Sequence, residues 1–303
     1  MATPRHRLVD SEQPLFYHIV SRCVRRSWLC GRDRATRRDY THRKRWLIKR
    51  LEDLTPAFPI QLFAYAIMAN HFHLVLYYDP KASEHWSPEE VVRRWFQACP
   101  PRHLDGAIDT ERQLLLTEQL LEQPERIEAI RLRLGSLSTF MQFLKQPIAR
   151  QANLEDGCTG HFFEQRFYSG ALLDQESIQA AMVYVDLNPF LAKIEKTLHE
   201  CQHTSVAHRL TQEELTALLA DPITPVMSGL EQQPELHLTL SSYIEHLQSI
   251  IDINDATSSR STRWHQWMAS LQRQQRVYGS KKRVKDWLAA RNMQFRESTV
   301  SYA

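Results

Sequence analysis

Hydrophobic residues recur with two different periods in the N-terminal part of the chain. Residues 15–30 and the runs IQLFAYAIM and HFHLVLYY are rich in β-branched and aromatic residues, which is typical of strands. Only Ala69 and Asn70 separate the two runs, and Asn tolerates the left-handed conformation of a tight turn. The pattern therefore predicts one strand followed later by an antiparallel hairpin.

Two helices are predicted around this hairpin. RRDYTHRKRWLIKRLEDL places Tyr40, Leu47 and Leu51 on one helical face, and SPEEVVRRWFQACP opens with a serine N-cap and an early proline. The resulting order of strand, helix, strand, strand and helix predicts an α+β fold. In this fold an antiparallel sheet is covered by helices on one face.

The later segments continue the mixture of helices and strands. Residues 105–135 predict a charged helical insertion, and SLSTFMQFLKQPIARQAN predicts a helix that Pro147 interrupts. GHFFEQRFYSGALL is typical of a strand, and DQESIQAAMVYVDLN predicts a helix that Pro189 ends. We therefore assign residues 1–205 to one α+β domain and residues 206–303 to a helical, basic C-terminal extension.

Composition places the chain among globular proteins. It is 43% hydrophobic and 24% charged, with a mean hydropathy of −0.46. No apolar run approaches the roughly 20 residues of a membrane span, and the N-terminus has no apolar signal segment. Five cysteines are scattered without a CxxC motif, which favours a reducing compartment. We therefore expect a cytoplasmic protein with no membrane contact.

The formal net charge of +3 conceals a strong segregation of charge along the chain. Residues 22–50 hold twelve Lys and Arg against two acids, a local charge of +10. Residues 260–296 hold ten against one, a local charge of +9, so the remainder carries −16. Such basic stretches favour nucleic acid as a partner, although solvated helix faces would have the same composition.

Two histidines stand in the second strand of the predicted hairpin. Side chains alternate across a strand, so His71 and His73 point to one face while Phe72 and Leu74 point to the other. Neutral imidazole is the commonest metal ligand, and two imidazoles at this spacing can chelate one divalent ion. The alternative is a pair of polar residues on the solvated face of an antiparallel sheet.

A tyrosine and an asparagine share one face of the last predicted helix of the first domain. In AAMVYVDLNP, Tyr184 and Asn188 are four residues apart. A phenol with a pKa of about 10 is a poor nucleophile unless its proton is removed or its target is polarised. A divalent ion would polarise a phosphodiester oxygen. The pattern indicates a tyrosine nucleophile beside a metal, with a half-buried core tyrosine as the alternative.

Three separated segments resemble a known family. YAIMANHFHLVL, GCTGHFFEQRFYSGALL and MVYVDLNPFLA are similar to motifs of the HUH single-tyrosine transposases, specifically the REP-associated tyrosine transposases. The resemblance runs in the same order over roughly residues 14–195 and is broken by the helical insertion. It implies that His71 and His73 bind a metal, that Tyr184 is the nucleophile and that Asn188 is an auxiliary metal ligand or an orienting group.

The resemblance also implies a substrate, a cofactor and a fold. The substrate is single-stranded DNA beside hairpins formed by REP-like palindromes, which is cleaved through a 5′-phosphotyrosine intermediate. The implied cofactor is Mg²⁺ or Mn²⁺, although two imidazoles and an amide would suit Zn²⁺ or Mn²⁺ at least as well as Mg²⁺. The implied fold is a ferredoxin-like antiparallel sheet.

Basic residues near the motifs are candidates for DNA contacts. Arg22, Arg25 and Arg26 lie beside the first predicted strand, where they are expected to contact backbone phosphates. Arg166 is predicted to hold a phosphate or a base edge, with a surface ion pair as the alternative. Tyr168 in the same segment is the rival nucleophile to Tyr184.

The leading hypothesis is a metal-dependent transposase that nicks and joins single-stranded DNA as a monomer or homodimer. One alternative is a non-catalytic regulator that is derived from such an enzyme and binds DNA or RNA hairpins. Another alternative is a metal-dependent phosphoesterase for a small nucleotide, which would turn over without a protein–DNA adduct.

Overall fold

The structure is a computed structural model that describes residues 4–24, 30–33, 37–195, 197–210, 219–255 and 263–294. Its strands are β1 (Leu15–Arg22), β2 (Ile60–Ile67), β3 (His71–Tyr78), β4 (Tyr168–Leu172), β5 (Met227–Ser228) and β6 (Val277–Tyr278). Its helices are α1 (His42–Leu54), α2 (Pro88–Ala98), α3 (Thr110–Leu121), α4 (Pro124–Leu134), α5 (Leu137–Asp156), α6 (Gln175–Asp186), α7 (Asn188–Leu191), α8 (Ser205–Leu210), α9 (Leu240–Asp255), α10 (Arg263–Gln272) and α11 (Lys281–Ala289). None of the helices in these ranges combines the length and the apolar character that crossing a membrane requires.

The strands form one sheet in the order β5-β2-β3-β1-β4-β6. The central strands β2, β3, β1 and β4 pair antiparallel, whereas β6 pairs parallel with β4. α1 connects β1 to β2, and α5 lies in the connection from β3 to β4, which gives the ferredoxin-like order of elements. The predicted α+β class and the antiparallel β2–β3 hairpin are confirmed.

Alternate residues of the strands enter two separate cores. Tyr17 and Ile19 of β1 lie in the core beneath α1 and α5, whereas Phe16 lies in the core beneath α6. The sequence placed helices on one face of the sheet, but α6, α9 and α10 cover the second face. The reason is that α6 is buried on nearly all sides, so it must lie between the sheet and further helices.

The long helix α5 runs unbroken through Pro147, so the predicted interruption is wrong. Proline has no backbone N–H, and the carbonyl of Phe143, four residues earlier, therefore lacks its intrahelical bond. Arg50 of α1 replaces that bond, because its Nε donates to the Phe143 carbonyl oxygen at 3.2 Å. A tertiary contact thus allows the helix to continue where its own sequence predicts a break.

The chain beyond residue 205 joins the sheet as well as packing against it. β5 pairs with β2, and β6 pairs with β4, so this part supplies both edge strands. Asp186 of α6 accepts hydrogen bonds from Ser205 Oγ at 2.6 Å, from the Val206 N–H at 3.0 Å and from Tyr243 Oη at 2.6 Å. The segment assigned as a helical extension therefore completes the sheet and fixes α6 in place.

Candidate active site

The two histidines of β3 and the tyrosine of α6 meet on one face of the sheet. Phe72 enters the core beneath α1 and α5, and His71 and His73 therefore point to the opposite face, which α6 covers. The rings of His71 and His73 pack edge to face, with centroids 4.8 Å apart. The ring of Tyr184 packs edge to face on His73, with centroids 5.6 Å apart. These three side chains therefore form one cluster within a single chain.

His18 of β1 is a fourth member of this cluster, and the sequence analysis did not identify it. Its ring stacks on His73 at a centroid distance of 5.2 Å and an interplanar angle of 10°. Its Nε2 lies 2.9 Å from His73 Nδ1, which is a hydrogen-bond distance. His18 is fully buried, and burial lowers its pKa to about 3, so the ring is neutral. A neutral His18 can accept the Nδ1 proton of His73 and leave the other nitrogen of His73 free.

The turn residue Asn70 orients His71 in the same way. His71 Nδ1 lies 2.6 Å from Asn70 Oδ1, and an amide oxygen can only accept, so Nδ1 carries the proton. The Nε2 of His71 then has a free lone pair. Burial, with a smaller contribution from the charge of Arg22, lowers the pKa of His71 to about 4. Both imidazoles of β3 are therefore held neutral, because burial also lowers the pKa of His73 well below its ordinary value.

Tyr184 is 6% exposed and is hydrogen-bonded to the side chain of Asn188. Burial raises the pKa of the Tyr184 phenol, while the Asn188 hydrogen bond and the charge of Arg22 partly offset that increase. Asn188 begins α7 and does not continue α6, which ends at Asp186, so the predicted shared helical face is interrupted. The two side chains still meet, because the chain bends only at Leu187 between the two helices.

Of the two predicted DNA contacts that the structure describes, Arg22 is the one beside this cluster. It ends β1 directly opposite His71 in the antiparallel register. Its positive charge lowers the pKa of His71, of His73 and of Tyr184. Within the described residues its side chain has no hydrogen bond or ion pair, so its charge is available to a bound anion.

The other predicted DNA contacts lie elsewhere. Arg25 and Arg26 fall outside the described residues. Arg166 is exposed in the segment before β4, and not in the strand where the sequence placed it. Its charge acts on Arg5, whose pKa is lowered first by burial and then by Arg166. Arg166 is thus associated with a different part of the surface from the Tyr184 cluster.

The rival nucleophile Tyr168 is held in a structural contact. Its hydroxyl donates to the Gln275 carbonyl and is hydrogen-bonded to Tyr278 Oη at 2.7 Å. Its hydroxyl lies against Gly170, where an added Cβ would also come within 2.9 Å of the Gln275 carbonyl oxygen. Burial raises the pKa of Tyr168 well above its ordinary value. This tyrosine attaches β6 to β4, and its hydroxyl is occupied by that contact.

The donor set of the cluster fits a divalent metal ion. Buried His73 Nε2 has no hydrogen-bond partner within the described part of the chain, and the ring is neutral, which is the ligand form of imidazole. His71 offers a second neutral imidazole nitrogen, and Asn188 offers an amide oxygen. The described residues contain no group of three or more His, Cys, Asp or Glu placed to hold a metal. Within the described part of the chain, a further ligand beside the two histidines would be an amide, water or the substrate.

The sequence does contain a pattern that places His18 on the face of the cluster, but this pattern is divided between two strands. Phe16, His18 and Arg22 share one parity along β1, and this parity faces the same core as His73. A shared face does not by itself bring His18 and His73 together. They are in contact because the register of β1 against β3 makes them diagonal neighbours across the two strands.

Comparisons with known proteins give one remote structural likeness. No family model matches the chain, and no curated protein matches it significantly. The chain is similar to a solved structure described as a REP-associated tyrosine transposase bound to a REP hairpin. The identity is 12%, the TM-score is 0.35, and the match covers 74% of this chain and 92% of that chain. At this level of similarity no residue role passes from that protein to this chain.

Proposed function

We propose that the protein is a metal-dependent nuclease and strand transferase that acts on single-stranded DNA beside hairpins, with Tyr184 as the nucleophile. The observation that carries this proposal is the packing of Tyr184 on His73 of the same chain, with ring centroids 5.6 Å apart. The first and last of the segments that resemble HUH transposases supply these two residues, 111 positions apart in sequence.

In the proposed reaction Tyr184 attacks the phosphorus of a phosphodiester. A bond forms between the phenolic oxygen and phosphorus, and the bond from phosphorus to the 3′ oxygen breaks. The phenol proton is lost to solvent, and the departing 3′ oxygen takes up a proton to become a hydroxyl. One phosphate ester replaces another, so a second 3′ hydroxyl can reverse the step and join a different strand.

His71 and His73 would hold Mg²⁺ or Mn²⁺, with Asn188 as a further ligand. When bound, the ion supplies polarisation of a phosphate oxygen and stabilises the charge of the transition state. Asn70 and His18 would hold the two imidazoles in the tautomers that leave a ligand nitrogen free.

The other groups of the site act on the nucleophile and on the substrate. Arg22 lowers the pKa of the Tyr184 phenol and presents a positive charge to a phosphate. Because Tyr184 meets His73 of its own chain, we propose attack in cis, for which one subunit is sufficient.

The test is to incubate the protein with a labelled single strand that carries a hairpin, in the presence of Mn²⁺, and to separate the products under denaturing conditions. We expect a covalent protein–DNA adduct together with a fragment that ends in a free 3′ hydroxyl, and EDTA should prevent both. His71→Gln should remove the adduct. His42→Gln should retain it, because His42 lies on α1 and pairs with Glu155 at 2.8 Å, away from the cluster.

The rival functions predict different products in the same experiment. Binding of the hairpin without any adduct, unchanged by EDTA, would mean that the protein is a non-catalytic regulator. Hydrolysis of small nucleotides without an adduct would mean that it is a phosphoesterase. Either result overturns the transferase proposal.

A further inference from the structure

A cleft of about 520 Å³ opens between α5 and the segment that leads into β4. We call it the α5 cleft. It does not include any member of the histidine–tyrosine cluster. Its lining combines cationic, amide and aromatic side chains, among them Arg5, Gln142, Lys145, Gln146, Phe163 and Gln165.

Two cations in the α5 cleft have only neutral hydrogen-bond partners. Arg5 donates to Ser169 Oγ at 3.1 Å and to the Phe167 carbonyl oxygen at 3.0 Å. Lys145 Nζ donates to the Glu164 carbonyl oxygen at 2.9 Å. Within the described residues neither cation is in a salt bridge. Two neighbouring positive charges without a paired carboxylate favour the binding of an anion.

The pKa of Lys145 agrees with this electrostatic picture. Burial lowers it to about 8, and the neighbouring positive charge of Arg5 acts in the same direction. The carboxylate of Glu164 and the thiol of Cys23 act in the opposite direction and offset only part of this lowering of the Lys145 pKa. A phosphate placed between Arg5 and Lys145 would relieve the repulsion between the two cations.

The surfaces around the two cations are suited to a nucleobase. The Arg5 guanidinium lies 3.7 Å from the centroid of the Phe167 ring, and Lys145 Nζ lies 5.4 Å from the centroid of the Phe163 ring. A guanidinium plane held in this way can stack with a base. The amides of Gln142 and Gln146 are exposed at the cleft, and an amide can donate to and accept from a base edge.

The α5 cleft lies on the face of the sheet opposite to the Tyr184 cluster, and the two are linked by direct backbone pairing. The Glu164 N–H donates to the Arg22 carbonyl oxygen at 2.8 Å, and Arg22 lies opposite His71. Neighbouring strands are about 4.8 Å apart, so the cleft wall is roughly 10 Å from His71. A strand with its scissile phosphate at Tyr184 would pass around the sheet to place a flanking nucleotide in the cleft.

We propose that the α5 cleft binds one unpaired nucleotide of the DNA strand that flanks the scissile phosphate. Its phosphate lies between Arg5 and Lys145, and its base faces the amides of Gln142 and Gln146. This inference rests on the proposed function for the kind of ligand, and it deepens that function by naming where the flanking strand is read.

The test measures DNA binding without cleavage. A fluorescent single-stranded oligonucleotide is titrated with the full chain in EDTA at several salt concentrations. Lys145→Met keeps the aliphatic stem and removes the charge. It should reduce the magnitude of the slope of log affinity against log salt by about 0.7, the value for one phosphate contact on a single strand. Gln146→Ala should leave the slope unchanged and weaken binding by a factor that depends on the base sequence.

Lys81→Met is the matched control, because Lys81 follows β3 at the opposite end of the sheet and pairs with Glu12 at 2.7 Å. It should leave the slope at the wild-type value, and thermal unfolding should show that all three variants are folded. The α5 cleft proposal is overturned if Lys145→Met has the wild-type slope or if Lys81→Met changes the slope equally.

The two proposals fail separately in these experiments. If an adduct forms in Mn²⁺ but Lys145→Met has the wild-type slope, the proposal for the α5 cleft is refuted and the proposed nuclease function is retained. If Lys145→Met has a reduced slope but no adduct forms, the α5 cleft still binds DNA and the proposed nuclease function is refuted.

Discussion

The Nε2 atom of His18 lies 2.9 Å from the Nδ1 atom of His73, and the two rings are stacked within 10° of parallel. One proton is shared across this contact. If His73 carries it on Nδ1, His73 Nε2 keeps a lone pair that can bind a cation; if His18 carries it, that lone pair is lost. His18 is therefore a positioning residue, which acts on the proposed metal site through the tautomer of His73.

Replacing His18 by Phe should weaken metal binding while preserving the fold. The phenyl ring can still stack on His73, but it cannot accept the Nδ1 proton. We expect the affinity for Mn²⁺, measured from the electron paramagnetic resonance signal of the free ion, to fall by roughly 10-fold to 100-fold. His18→Gln retains an acceptor and should recover part of the affinity. If His18→Phe binds Mn²⁺ with wild-type affinity, the hydrogen bond between His18 and His73 has no effect on metal binding by His73.

Replacing Arg22 by Met should slow adduct formation and move its pH dependence. The positive charge of Arg22 lowers the pKa of the Tyr184 phenol, so its removal raises that pKa and a higher pH is needed to ionise the nucleophile. We expect a rate loss of about 100-fold at pH 7, because one charged partner of the transition state is missing. The part of the loss that comes from the raised phenol pKa should recover as the pH increases, whereas the part that comes from the missing charge on the transition state should remain.

The control for Arg22 is Arg93→Met, because Arg93 is exposed on α2 and pairs with Glu90. It removes the same charge away from the site and should have the wild-type pH profile. A profile for Arg22→Met that keeps its wild-type midpoint would contradict the electrostatic role.

Replacing Tyr243 by Phe should destabilise the contact between α6 and α9. Buried Asp186 would lose the hydroxyl that lies 2.6 Å from its Oδ2, which costs about 1–3 kcal/mol. The melting temperature should fall by roughly 2–4 °C for each kcal/mol. Tyr77→Phe is the control, because Tyr77 is half-buried and its hydroxyl has no hydrogen bond within the described residues.

The effect of Tyr243→Phe should depend on pH. Burial raises the pKa of Asp186 above its value in the unfolded chain, so the folded state binds more protons as the pH falls. The loss of a donor raises that pKa further, and the variant regains stability when Asp186 is protonated. Thermal unfolding should therefore show a larger deficit at pH 8 than at pH 5; an equal deficit would contradict the account.

Local patterns in the sequence were sufficient for the central elements of the fold. The turn residues Ala69 and Asn70 indicated the β2–β3 hairpin, and alternation along β3 placed His71 and His73 on one face. Both features depend on residues within a few positions of one another. Such features can be predicted because strand and turn geometry are local.

The features that were missed depend on contacts between distant segments. Pro147 remains helical because Arg50, on another helix, supplies the bond that proline cannot make. β5 and β6 are two residues long, so no periodicity in the sequence could reveal them. His18 joins the site only through the register of β1 against β3. Each of these contacts requires the assembled sheet and the packed helices.

The central claim is that Tyr184 becomes covalently attached to DNA, and peptide mapping of the adduct tests it most directly. After nuclease trimming, trypsin should release residues 167–193 as one peptide, because this stretch has no internal Lys or Arg. The peptide contains both Tyr168 and Tyr184, so fragmentation must locate the attached nucleotide. The account predicts the nucleotide on Tyr184 in the wild type and no adduct in Tyr184→Phe; a nucleotide on Tyr168, or an adduct that persists in Tyr184→Phe, would contradict it.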